Sequence, residues 1–308
     1  MGTSNAGYLM VISAALLWGT TGTAQALGSP AAQPVAVGTL RIVIAGGVFL
    51  LLAPFTAPLR RPGRGEVPWM AVGAFLVLAY QLSFFAAVRM IGVAVGTVLQ
   101  IGVAPLAAGL LGSLFLRERI TVAWLLATAI GIAGIVLVTL RPDAGTAGAI
   151  PPAAYLLGAF LAMGAGVAYA GFSLALRQLG QTMGTIRAAT MIFAVGGVIS
   201  VPVALAHDLS WLATPRGAVS VVHSGVIATA LAYLLFTTGI RRVHFGSAIT
   251  ATLVEGVTAT VLGTLLVGER LGLFQTTGIA LVLVAVWLSG RAKGTATPPG
   301  SGQEPQGP

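Results

Sequence analysis

Residues 93–120 read VAVGTVLQIGVAPLAAGLLGSLFLRERI, and residues 244–271 read HFGSAITATLVEGVTATVLGTLLVGERL. A shift of 151 residues lays Glu118-Arg119 on Glu269-Arg270 and Pro105 on Gly256. A shift of 150 lays Ala45-Gly46-Gly47-Val48 on Val195-Gly196-Gly197-Val198. The chain is thus two related halves. Each half holds five apolar stretches, and an odd number sends the second half into a membrane from the opposite side. Inverted repeats of this kind build transporters whose central site opens to alternate faces.

Composition supports a membrane protein. Of 308 residues, 56% are hydrophobic and only 7% charged, against roughly 25% charged in soluble domains. Apolar runs recur at the length needed to cross a ~30 Å hydrocarbon layer. There is no cysteine, so disulfides and thiolate metal sites are excluded. The three histidines, His207, His223 and His244, are far apart in sequence, which argues against a metal site. The net charge of +9 sits in short loops, where it sets topology and meets anionic lipid rather than nucleic acid. The sole lysine is Lys293, and no phosphate-binding loop accompanies it, so no ATP-driven mechanism, catalytic group or cofactor is expected.

The spans are expected near 7–27, 35–54, 67–88, 93–116, 122–140, 153–176, 185–207, 217–240, 247–267 and 272–290. The first apolar stretch lacks a basic flank and is read as a retained helix. With the N-terminus in the cytoplasm, cytoplasmic segments carry 11 Arg and Lys and the outer loops 4, a bias that fixes orientation. The expected fold is an all-α integral membrane protein of ten transmembrane helices. It forms two inverted five-helix repeats, 1–145 and 146–292, followed by a disordered cytoplasmic tail, 293–308. Most prolines punctuate span ends; Pro105 lies deep inside span four and should kink it. Small residues at helical spacing, such as Gly92 with Gly96, Gly109 with Ser113, and Gly158 with Ala162, suit close helix packing.

These residues resemble the EamA-type branch of the drug/metabolite transporter superfamily. The resemblance runs through Leu17-Trp18-Gly19, Leu40-Arg41, Ala104-Pro105 and Leu116-Arg117-Glu118-Arg119 in the first half. In the second half it runs through Thr229-Ala230-Leu231-Ala232-Tyr233, Leu253-Val254-Glu255-Gly256 and Leu266-Val267-Gly268-Glu269-Arg270-Leu271. One departure stands out: the family pattern has Glu-Pro in span nine, where this chain has Glu255-Gly256, a flexible point in place of a kink. The resemblance implies a bacterial inner-membrane protein that exports amino acids, other small metabolites or toxic cations. Its partners are then a small-molecule substrate and the lipid bilayer, with a homodimer left open.

Several residues are candidates for the transport path. Glu255 is the sole acidic residue inside a span: either a proton-coupling or cation-binding group, or a structural acceptor beside a hydroxyl such as that of Thr258. Arg41 is the sole basic one. It either snorkels outward or holds a carboxylate in the cavity; a direct pair with Glu255 is disfavoured because the two fall in opposite leaflets. Gln100 and Glu255 should approach the pseudo-two-fold axis from related helices. Trp18, Tyr80, Gln81, Tyr169 and Tyr233 fall near mid-span, where aromatics are unusual, so they line a cavity or simply pack. His223 is either a polar lining group or a satisfied packing residue. Pro105 and Gly256 are the expected gating points. Glu118 and Glu269 read as exposed helix-end charges, each worth at most ~1 kcal/mol.

Overall fold

A computed structural model describes residues 3–55, 62–91, 93–139, 151–267 and 272–291. The 145/146 repeat boundary, Gly92, the Glu269-Arg270 pair and the tail from 293 lie outside the described residues, as do the loop charges Arg60, Arg61, Arg141 and Lys293. Among the described residues every regular element is helical.

The helices are α1 (Thr3–Ala26), α2 (Pro34–Leu52), α3 (Val67–Ile91), α4 (Val93–Leu116), α5 (Val122–Thr139), α6 (Pro152–Met183) and α7 (Thr185–Leu205). They continue with α8 (Pro215–Ile240), α9 (Phe245–Leu266) and α10 (Leu273–Arg291). Eight of these, all but α1 and α5, are long and apolar enough to cross a membrane. Starts follow local chemistry. Proline stands at the first turn of α2, α6 and α8, where its missing N–H costs nothing. Thr214 caps α8 by accepting from Gly217 N at 3.1 Å, and His244 caps α9 through Nδ1.

Three expectations need correction. Helix α6 does not stop near 176 but runs on to Met183. Arg177 is paired inside the protein, and the chain turns only at Gly184, with φ at 85°. Pro105 lies inside α4, as expected. Pro202, too, lies inside a helix, near the end of α7. The discontinuity in α9 is at Thr252 and Leu253 rather than at Gly256. There the bonds tighten to three residues, Leu253 N to Thr250 O at 3.2 Å and Glu255 N to Thr252 O at 2.9 Å. Gly256 sits in the first turn of the helical piece that follows, and its N–H donates to the Leu253 carbonyl at 3.1 Å, a bond that the family's proline cannot make.

Helix α6 packs on α3 and α4, α1 packs on α8 and α9, α2 crosses α7, and α5 crosses α10. The repeated small-residue motif lies at the α2–α7 crossing. A Cβ on Gly46 would come within 2.5 Å of the Phe193 carbonyl oxygen, and one on Gly197 within 3.3 Å of Val43 Cα. The two copies of the motif therefore face each other, and bare glycine faces set the approach where lipid supplies no hydrophobic drive. At the α1–α9 crossing a Cβ on Gly19 would sit 2.7 Å from the Glu255 carbonyl oxygen, which brings α1 against the interrupted part of α9. Helix α8 widens from His223 to Leu231 into a π-helical stretch, where the Thr229 hydroxyl donates to the Ser224 carbonyl five residues back at 2.7 Å. Such stretches concentrate at functional sites.

Candidate functional site

The mid-span aromatics converge. Helix α1 brings Trp18, α3 brings Tyr80, α6 brings Tyr169 and α8 brings Tyr233. Trp18 lies 4.9 Å from Tyr233 and 6.2 Å from Tyr169 between ring centroids, and Tyr80 lies 5.6 Å from Tyr169. Three phenylalanines complete the group: Phe172, Phe193 and Phe236. Sequence reasoning missed them because phenylalanine carries no polar atom to mark it. The signal was present, since Phe172 and Phe236 each stand three residues after a site tyrosine and share its helix face.

The two interior charges enter this aromatic group. Arg41 on α2 does not snorkel outward. Its Nη2 donates to Gln81 Oε1 on α3 at 3.0 Å, and Tyr80 lies beside it. Glu255 lies within electrostatic range of Arg41 and of Tyr80, Tyr169 and Tyr233. The packed helices thus bring Arg41 and Glu255 closer than a count of residues along separate spans suggested. They stop short of a direct salt bridge, and the Glu255 carboxylate accepts no hydrogen bond from any described residue. Thr258, the hydroxyl expected to serve it, instead donates to the Val254 carbonyl at 3.0 Å.

Three buried polar atoms here have no partner within the protein: Trp18 Nε1, Arg41 Nε and Gln81 Nε2. Buried donors are nearly always satisfied, so these three mark the group as a candidate site. Its lining is otherwise apolar and aromatic, a combination typical of small-molecule sites.

Two expected members stand apart. Gln100 is buried where α4 meets α6, its carbonyl against Gly166, and forms no hydrogen bond to Glu255. Helices α4 and α9 meet through the first part of α9, but a shift of 151 lays Gln100 on Ala251 and Glu255 on Ala104, so the repeat does not pair the two side chains. His223 lies ten residues before Tyr233, about 15 Å along the helix, and Thr20 Oγ1 is 3.3 Å from its Nε2. It belongs to the α1–α8 contact, away from the aromatic group. Of the gating candidates, Gly256 packs against α5, where a Cβ would meet Ile135 Cδ1 at 2.7 Å, and Pro105 is buried in α4.

Glu118 also departs from expectation. It is not an exposed helix-end charge: its side chain is 8% exposed and pairs with Arg177 of α6 at 3.0 Å.

The comparisons with known proteins agree with this architecture. The sequence profile described as the EamA-like transporter family matches residues 5–140 and again 156–291. A relative from Bacillus subtilis (strain 168), described as "Uncharacterized transporter YwfM", is 35% identical over 283 residues, covering 90% of this chain and 91% of its own length. A solved structure described only as "Crystal structure of protein" superposes with a TM-score of 0.78 at 20% identity, over 92% of this chain and 96% of that one. At that identity it speaks for the fold alone. Matched by the profile in both halves and by a relative along nine-tenths of its length, the chain is a multi-pass membrane protein that belongs to the EamA-like transporter family.

Proposed function

We propose that this protein is a secondary transporter that exports amino acids or similar small zwitterionic metabolites by alternating access. The observation that carries the reading is the approach of Arg41 and Glu255 within one aromatic group. A guanidinium suits a carboxylate. A carboxylate and electron-rich ring faces suit an ammonium. A lipophilic cation would use Glu255 and the rings equally well, and that is the second reading. It leaves Arg41 as a repulsive neighbour, which favours the zwitterion.

The mechanism rests on a ten-span, inverted-repeat arrangement. Shifting every helix number by five turns the α3–α6 contact into α8–α1 and the α4–α6 contact into α9–α1, and returns α2–α7 and α5–α10 to themselves. That pattern is expected of two halves related by a pseudo-two-fold axis, with the site between them. The Arg and Lys bias places both termini and the Glu118 end of the bundle in the cytoplasm of an inner membrane. Reporter fusions at Pro308 and after residue 145 should therefore report opposite faces. The same face for both removes the inverted repeat.

The test of function is counterflow into proteoliposomes loaded with unlabelled solute. A panel of labelled amino acids is compared with a lipophilic phosphonium cation. Accumulation of one or more amino acids, with none of the phosphonium, supports the zwitterion. The reverse pattern establishes the cation reading instead.

A further inference from the structure

Away from the aromatic group, a second buried polar cluster joins three helices. At the C-terminus of α4 the chain turns through Arg117 at φ 55°, a left-handed conformation uncommon outside glycine. The Glu118 N–H donates back to the Gly112 carbonyl at 3.1 Å. This turn directs the Glu118 carboxylate beneath the bundle, onto the first turn of α9. Its two oxygens accept from the Phe245 N–H at 3.0 and 2.9 Å. Arg177 Nη1 lies 3.0 Å from Oε1 and also donates to the Val243 carbonyl at 3.0 Å. His244 Nε2 lies 3.3 Å from Oε2.

The protonation pattern is consistent. Burial holds the His244 imidazole below its ordinary range, against the opposing pull of Glu118. In that neutral form Nδ1 is free to accept the Ser247 N–H at 3.4 Å, which leaves the proton on Nε2, close to Glu118 but not aligned for a hydrogen bond. The carboxylate also sits at the positive end of the α9 helix dipole. All three side chains are about nine-tenths buried.

The placement matters more than the strength. Helix α4 belongs to the first five-helix half, and α6 and α9 to the second. Contacts between α4 and α9 at this end have to part if the halves are to open toward it. We propose that Glu118, with Arg177 and His244, is a latch that holds this end of the transport path shut and is released once in each transport cycle. The inference rests on the alternating-access reading above. A clasp of purely structural value has no need to join the two halves or to be built on a strained turn.

The chain has no cysteine, which allows single reporters. Ser247→Cys places a thiol buried beside the latch, and Thr20→Cys places one toward the opposite end, next to His223. Both are labelled in proteoliposomes with a small water-soluble maleimide, with and without Glu118→Gln. Loss of the charged hydrogen bonds is expected to speed labelling at the Ser247→Cys reporter about tenfold and to slow it at the Thr20→Cys reporter. His244→Asn, which keeps a good helix cap but loses the contact to Glu118, should act in the same direction more weakly, and serves if Glu118→Gln fails to fold.

Unchanged rates, or rates that rise at both reporters together, overturn the latch. A double-reporter protein separates this from failure of the mechanism. Filling the Thr20→Cys site with a bulky maleimide must slow labelling at Ser247→Cys in any alternating-access protein. Absence of that coupling removes alternating access and the latch with it. Coupling without an effect of Glu118→Gln removes the latch alone.

Discussion

Glu255→Gln is expected to reduce concentrative export by about 100-fold, the upper range of a coupling free energy, while exchange of solute down its gradient persists. The structure sharpens the reason. The carboxylate lies within electrostatic range of Arg41, Tyr80, Tyr169 and Tyr233, yet no described residue donates a hydrogen bond to it. A structural acceptor would have a partner, since leaving one unmade is costly. A group that binds and releases a proton or an ammonium has reason to lack one. The neutral amide mimics the protonated state, and Arg41 and the rings still hold the solute, so exchange persists at lower affinity while the linkage to the gradient is lost. The measurement is uphill export from proteoliposomes beside homoexchange in the same preparation. A well-folded variant that still exports uphill at the parent rate rules out coupling through Glu255. A variant that fails both assays with lowered thermal stability assigns it to structure.

Arg41→Gln should separate substrates rather than abolish transport. If the guanidinium receives a carboxylate, its removal leaves that charge unpaired inside a desolvated site, at a cost of 2–5 kcal/mol in comparable pairs, or about 100-fold in affinity. Counterflow of amino acids should fall by that order. Binding of amine analogues that lack the carboxylate should hold or improve, because the repulsion from Arg41 is gone. Gln81 loses its partner in this variant, so thermal stability has to be followed in parallel. An equal loss for acids and amines, with a lower melting temperature, would mean that Arg41 serves packing through Gln81. The same experiment then turns the choice toward the lipophilic-cation reading.

The sequence by itself determined the architecture. Apolar runs at membrane-spanning length, the internal repeat and the motifs shared with the EamA family were all readable, because lipid imposes long helices and because a duplicated half keeps its own spacing. The list of site residues was also largely readable: a charge or a mid-span tyrosine in an apolar helix is conspicuous without any structure. What only the tertiary structure decided was which of those residues meet. Depth counted at 1.5 Å per residue separated Arg41 from Glu255, whereas the packed helices hold the two within electrostatic range of each other. Gln100 and Glu255 stand on repeat-related helices, yet no hydrogen bond joins them once the helices pack. Glu118 looked like a surface charge because its neighbours in sequence are arginines in a loop. Its partners are Arg177 and the Phe245 N–H, 59 and 127 residues away. Local pattern fixes what a helix is, but a polar side chain in a bilayer is worth what its distant neighbours make it, and those are set only when the helices pack.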